Sequence, residues 1–283
     1  MRTATLLIYG RDRPGLVAEI SKLIFRHGGN ILHADQHIVQ EQGLFLQRIE
    51  WDLTGFVPNG DEVTDVIKKA IEPLGMEWSL RFSAQLPKVA ICVSKHAHCL
   101  YELLARWKNG ELGADIRVVL SNHSVLQEVA DRFSVPFLHC PIIPGRRSQQ
   151  EQQLRNELER CDIDLVVLAR YMQILSEELV SRYPNRIINI HHSFLPAFPG
   201  VRPYHRAHER GVKIIGATAH YVTEALDEGP IIEQDVVRVS HRDSVQDLVA
   251  KGRDLEKLVL ARAVAYHVSA RVLVYGNRTV VFR

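Results

Sequence analysis

The chain has 283 residues, 46% of them hydrophobic and 24% charged, with a formal net charge of +2 at pH 7. That length allows a sizeable core in one or two domains, and a near-neutral balance without a basic cluster argues against a nucleic-acid partner. No apolar stretch approaches the roughly 20 residues of a membrane span, the first residues run straight into a strand pattern without a signal peptide, and Cys92, Cys99, Cys140 and Cys161 form no C-x-x-C pair. Reduced thiols and a cytoplasmic location are expected.

In chain order, residues 4–8 read as an apolar strand, and Arg11-Asp12-Arg13-Pro14-Gly15 as a turn punctuated by Pro and Gly. Leu16, Ile20, Leu23 and Ile24 recur at helical spacing until Gly28-Gly29 stops the helix. Extended segments follow at 31–39 and 44–52, then a helix at about 61–74 and a strand at 77–82. The order βαββαβ predicts a ferredoxin-like domain over residues 1–83.

Residues 84–87 read as a linker. From residue 88 to residue 283, apolar strands at 88–93, 116–120, 136–139, 165–168 and 187–190 alternate with helical segments. Regular βα alternation predicts an α/β domain with a doubly wound, mostly parallel sheet, whose ligands sit beyond the carboxyl ends of strands. Neither a G-x-G-x-x-G nor a P-loop pattern occurs, so no dinucleotide or nucleoside triphosphate is expected.

The stretch Asn189-Ile190-His191-His192-Ser193-Phe194-Leu195-Pro196-Ala197-Phe198-Pro199-Gly200 leaves the last of these strands and enters a Pro/Gly-rich loop. Strand residues two apart share a face, so Asn189 and His191 sit side by side. An amide donor beside an imidazole can hydrogen-bond an oxyanion and pass a proton. The carboxylate such a site needs has its best candidate in Asp227, in an acidic turn after the run from Gly216 to Val222, although an isolated Leu226-Asp227-Glu228-Gly229-Pro230 reads equally as a plain turn. Fourteen histidines, including His191-His192 and His205-x-x-His208, raise the question of a metal. Adjacent strand histidines point to opposite faces and no third ligand has suitable spacing, so none is expected.

Asn-Ile-His-x-Ser-x-Leu-Pro-Ala-Phe from Asn189, followed by Gly-Ala-Thr-x-His-x-Val-Thr-x-x-Leu-Asp-x-Gly-Pro from Gly216, resembles the signature of the folate-dependent formyltransferases and their hydrolytic relatives. The phrase Gly10-Arg11-Asp12-Arg13-Pro14-Gly15-Leu16-Val17 with Gly28-Gly29-Asn30-Ile31 resembles the ACT regulatory domain. The first resemblance implies that the substrate is 10-formyltetrahydrofolate and that no cofactor is used. It also implies that Asn189 and His191 stabilise the oxyanion, that Asp227 orients the nucleophile and relays its proton, and that His220 lines the same site. It assigns Met172, Gln173 and Leu175 to the pterin, and Arg170 and Arg202 to the glutamate carboxylates of the folate. The second implies an amino-acid effector, with glycine and methionine the ones to try, and homo-oligomers formed through this domain. The backbone of Asp12, Gly15 and Leu16 would receive the effector carboxylate at a helix N-terminus, and Asn30 its amino group.

What remains open is the acceptor of the formyl group. In the ribonucleotide-accepting members the loop after the first strand of this domain is glycine-rich; here it is Val93-Ser94-Lys95-His96-Ala97-His98-Cys99-Leu100, without glycines for close approach to a phosphate. That loop, the ACT-like domain and His191-His192 favour the hydrolytic branch, which would release formate for purine synthesis and balance one-carbon pools. Pro199 reads more like a transferase loop, and Lys95 and His96 keep transfer to glycinamide ribonucleotide or another amine as the alternative. A third reading, an amino-acid sensor with a decayed catalytic domain, is disfavoured by the intact Asn189, His191 and Asp227.

Overall fold

A computed structural model of the chain describes residues 2–58, 60, 62–196 and 203–283, with no side-chain description for residue 203. These form two compact units, 1–86 with 270–273 and 280–283, and 87–269 with 274–279. The C-terminal stretch, read as part of the second domain in the sequence, thus divides between them.

The first unit contains β1 (Thr3–Arg11), α1 (Leu16–Arg26), β2 (Asn30–Val39), β3 (Leu44–Asp52), α2 (Glu62–Ile71) and β4 (Glu77–Phe82). Its strands pair antiparallel in the order β2-β3-β1-β4, the ferredoxin-like arrangement. In α1, Leu16, Ile20 and Ile24 are four apart and all buried, which gives the helix one apolar face against the sheet residues Leu6, Ile8, Phe45 and Trp51. Gly15 begins that helix at φ 94°, a left-handed conformation that glycine adopts without steric cost. Arg48, buried in β3, donates from Nε to the carbonyl of Ala270 at 3.0 Å.

The second unit contains β5 (Lys88–Val93), α3 (His98–Lys108), β6 (Asp115–Ser121), α4 (Gln127–Arg132), β7 (Phe137–His139), α5 (Arg147–Arg160), β8 (Leu165–Leu168), α6 (Glu177–Arg182), β9 (Ile187–His191), α7 (Pro203–Arg210), β10 (Ile214–Tyr221), β11 (Ile231–Arg238) and α8 (Val245–Val268). The hairpin strands β12 (Val272–Tyr275) and β13 (Arg278–Val281) close the chain. The seven-stranded sheet has the order β11-β10-β9-β8-β5-β6-β7. From β9 to β7 the neighbours run parallel. Strand β8, Leu-Val-Val-Leu, is buried at all four residues, as a parallel strand covered on both faces requires.

From β5 the chain winds first outward through β6 and β7, then returns to add β8 and β9 on the other side. The carboxyl ends of β5 and β8 therefore flank the switch point where open α/β sheets bind ligands. The sheet is parallel only in part, because β10 runs antiparallel to both β9 and β11. The acidic turn carrying Asp227 is thus the connection between two antiparallel strands. Helix α8 starts with a capping box, in which Ser244 and Asp247 each satisfy the other's backbone amide.

Candidate active site

The antiparallel register builds the site. Asn189 of β9 lies directly opposite His220 of β10, and His191 opposite Thr218, so all four side chains share one face. Asn189 Nδ2 is 3.3 Å from His220 Nε2. His220 Nδ1 lies 2.9 Å from the Tyr221 carbonyl; as the donor there, it leaves Nε2 to accept from Asn189. The loop after β10 then brings Asp227 back over these residues. Its Oδ2 is 3.2 Å from His191 Nδ1, and its Oδ1 is 3.6 Å from His220 Nε2.

Two local features allow that return. Asp227 adopts φ 58°, a left-handed conformation in which Asp is several-fold enriched. At Gly229 any Cβ would run into the Tyr221 carbonyl, so the closing arm of the loop can lie against β10 only as glycine. The hydrogen bond from His191, and then the closeness of the His220 ring, hold the Asp227 carboxyl well below the usual carboxylate range, against the upward push of burial. His191 is 5% exposed, and its Nε2 is buried without a hydrogen-bond partner. Beside a cavity, such an orphaned polar atom marks where a ligand atom belongs.

The loop after His191 is held by Thr218, whose hydroxyl donates to the Ser193 carbonyl at 2.9 Å and accepts from the Leu195 amide at 3.0 Å. Gln234 spans the same hydroxyl and the Leu195 carbonyl, at 3.0 and 3.1 Å. The neighbouring histidines do not point to opposite faces as expected. The strand ends at His191, the chain turns, and the two rings stack with centroids 5.1 Å apart. Burial, aided by the charge of Arg170, lowers the His192 pKa to about 4.

Asn189, His191, His220 and Asp227 line a cavity of about 790 Å³, with Met172, Gln173 and Leu175 along the loop after β8. Met172 has φ 59° and Arg170 φ 63°, backbone strain of about 1–3 kcal/mol each of the kind found at ligand-binding loops. Arg170, expected at the folate glutamate, instead turns inward: its Nε lies 3.5 Å from Oε2 of Glu256, and its side chain is 12% exposed. A buried carboxylate attracts the guanidinium more strongly than solvent-facing positions do. Arg202 and Pro199 lie outside the described residues.

Glu256 is the functional candidate that the sequence reading missed. At 1% exposure it accepts from Tyr204 Oη at 2.7 Å and lies 2.8 Å from His98 Nε2. Burial raises its pKa, but the bond to His98 and the charge of Arg170 outweigh it, so the net shift is downward. His98, Cys99 and Glu256 offer ligand atoms within 4.8 Å of one another. With Arg170 already against Glu256 and burial holding the Cys99 thiol protonated, a divalent cation would meet a cation and a neutral thiol there. The one local signal was Gly252, one turn before Glu256 in α8. A Cβ there would fall inside the Tyr204 phenol, so the glycine admits the ring that reaches Glu256.

The expected effector residues belong to the first unit and do not meet. The α1 N-terminus has no side-chain cap, but the Asp12 amide is already used by the Gly43 carbonyl at 2.7 Å, and the Leu16 side chain is core. Asn30 pairs with Asp52 and hence lies level with Thr3, whereas Arg11 is level with Leu44 and Val39. Eight strand residues separate the two levels, about 27 Å along the sheet. One small amino acid cannot touch both Gly15 and Asn30 of a single chain.

Residues 87–264 match the formyl transferase family model, and residues 4–72 match the ACT domain model. The chain is 57% identical over 281 residues to a formyltetrahydrofolate deformylase of Synechocystis sp., covering 99% of this chain and 98% of that one. The crystal structure of a formyltetrahydrofolate deformylase from Pseudomonas syringae pv. tomato superposes with a TM-score of 0.98 at 45% identity, over 100% of this chain and 95% of that one. A glycinamide ribonucleotide transformylase from Symbiobacterium toebii is more distant, with a TM-score of 0.68 at 32% identity, over 72% of this chain and 98% of that one.

Proposed function

The chain belongs to the formyltetrahydrofolate deformylase family, and from that premise we propose that it hydrolyses 10-formyltetrahydrofolate to formate and tetrahydrofolate at the cavity around Asn189, His191 and Asp227. The observation that carries this reading is the unpartnered, buried Nε2 of His191, on a ring whose other nitrogen is held by Asp227.

The formyl carbonyl sits with its oxygen toward His191 Nε2 and the free N–H of Asn189. Water attacks the formyl carbon, oriented by Asp227 Oδ1, the carboxylate oxygen farther from its histidine partner. As the C–O bond forms, the water proton passes to Asp227. A carboxylate of low pKa suffices, because the attacking water becomes strongly acidic as the bond forms. The oxyanion takes hydrogen bonds from the Asn189 amide and from the Nε2 edge of His191, whose ring Asp227 holds in place from Nδ1. Collapse breaks the C–N bond, and the departing nitrogen takes the proton from Asp227. Formic acid then ionises. His220 fixes the Asn189 amide, and Met172, Gln173 and Leu175 offer backbone and apolar surface to the pterin. No metal or cofactor enters these steps.

The ACT domain would bind an amino-acid effector, glycine or methionine, with its carboxylate at the uncapped α1 N-terminus. Asn30 could join it only from a second copy, which fits a homo-oligomer formed through this domain. Such an enzyme would work in the cytoplasm, feeding formate to purine synthesis. The deciding experiment incubates the protein with 10-formyltetrahydrofolate, with and without glycinamide ribonucleotide. Formate released at an equal rate in both is expected; acceptor-dependent formylation with little formate would replace hydrolysis by transfer.

A further inference from the structure

The cavity has a second wall that the hydrolytic steps do not use. Arg170, Arg253 and His96 line it, and His98, the first residue of α3, adjoins it through Glu256. Arg170 Nε and Nη1 make no hydrogen bond although buried. Two guanidiniums, two imidazoles and unspent N–H donors beside a reaction centre describe a recess for the anionic part of a second substrate. The only carboxylate the described residues place among them is Glu256, with Oε1 on Tyr204, Oε2 against His98 and Arg170, and 1% exposure.

We propose that Glu256 is a built-in anion that fills this recess, so that phosphate-bearing amine acceptors are kept out and water remains the nucleophile. This rests on the hydrolytic reading above. Burying a carboxylate is costly unless it is paired and hydrogen-bonded on both oxygens, and three side chains from three different segments supply those partners. Helix α8 also carries Gly252 in mid-helix, where glycine is a destabilising choice relative to alanine, at the position that lets Tyr204 reach the carboxylate. An outside phosphate would need the same donors and would meet the negative charge of Glu256 at contact distance, so the two anions compete for one place.

Inorganic phosphate, titrated by phosphorus NMR into the full-length protein without folate, tests this independently of turnover. Wild type is expected to show no saturable binding, and Glu256→Ala, which removes the charge and makes room, to bind phosphate at least roughly tenfold tighter. Adding Arg253→Gln to Glu256→Ala should abolish the gain. Glu256→Gln, which keeps the volume, carries the same comparison if the alanine variant does not fold. Equal binding in wild type and variants, or phosphate binding by wild type that Arg253→Gln removes, overturns the proposal. Formate release by wild type is measured separately, so loss of the hydrolytic reading is distinguishable from loss of this one.

Discussion

Asp227 holds His191 by one ring nitrogen, at 3.2 Å from Nδ1, and leaves the opposite nitrogen, Nε2, buried and unbonded. That contact fixes the orientation of the ring and turns its other edge toward the cavity, where it can hydrogen-bond a ligand.

Asn189→Ala removes one oxyanion donor, which typically costs about 2.7–4 kcal/mol of barrier. A fall in kcat of roughly a hundredfold or more is expected at saturating substrate. Asp227→Asn should lower kcat by roughly a hundredfold or more while a non-hydrolysable folate still binds by calorimetry. Near-normal hydrolysis by either variant would remove it from the chemistry.

Stability should respond to acid through His192. Its folded-state pKa of about 4 lies below the ordinary 6.5, so the unfolded chain takes up the proton first. Its contribution falls as the pH drops from about 6.5 to about 4 and levels off below that, a loss on the order of 3 kcal/mol. Asp227, whose pKa is depressed, acts lower: its contribution is present above about 3.8 and fades as the pH falls further. Urea unfolding at a series of pH values should show a shallower slope for His192→Gln across the upper window, and an unchanged slope would assign the acid lability to other groups.

Gly252→Ala separates propensity from packing. A helical Gly→Ala replacement ordinarily gains about 0.8–1 kcal/mol, but here the methyl displaces Tyr204 from Glu256. A net loss of about 1–3 kcal/mol is expected from overpacking, read by urea unfolding. A gain would show that the ring accommodates the methyl.

Thr218→Val keeps the side-chain shape but leaves the Leu195 amide and Gln234 without their shared oxygen. The expected cost is about 1–3 kcal/mol of stability and a roughly tenfold lower kcat, with KM for folate changed less than kcat because the loop after His191 is displaced. A loss of stability with full activity would make Thr218 purely structural.

The pairing of Asn189 with His191 was legible because strand parity is a local rule, and the motif blocks supplied His220 and Asp227. The ferredoxin-like unit was readable element by element, since its apolar spacings are regular. The antiparallel turn of β10 was not, and with it the cross-strand matches Asn189 to His220 and His191 to Thr218 stayed hidden; register is a property of two segments together. The stacking of His191 on His192 was misread because it depends on where the strand stops. Asn30 and Gly15 looked like partners in the sequence because neither motif states which end of a strand it occupies. Glu256 lies in the middle of a long helix, and its role comes from Tyr204, His98 and Arg170, each 52 to 158 residues away or on another segment.

The first unit is discontinuous: residues 270–273 and 280–283 group with residues 1–86, and the Arg48 Nε donates to the Ala270 carbonyl. During synthesis the unit begun by residues 1–86 therefore cannot be completed until residues 270–283 have emerged. A fragment ending at residue 86 would lack that acceptor, so the ACT unit is not a detachable bead on this string but a parcel tied shut with a segment some 200 residues downstream.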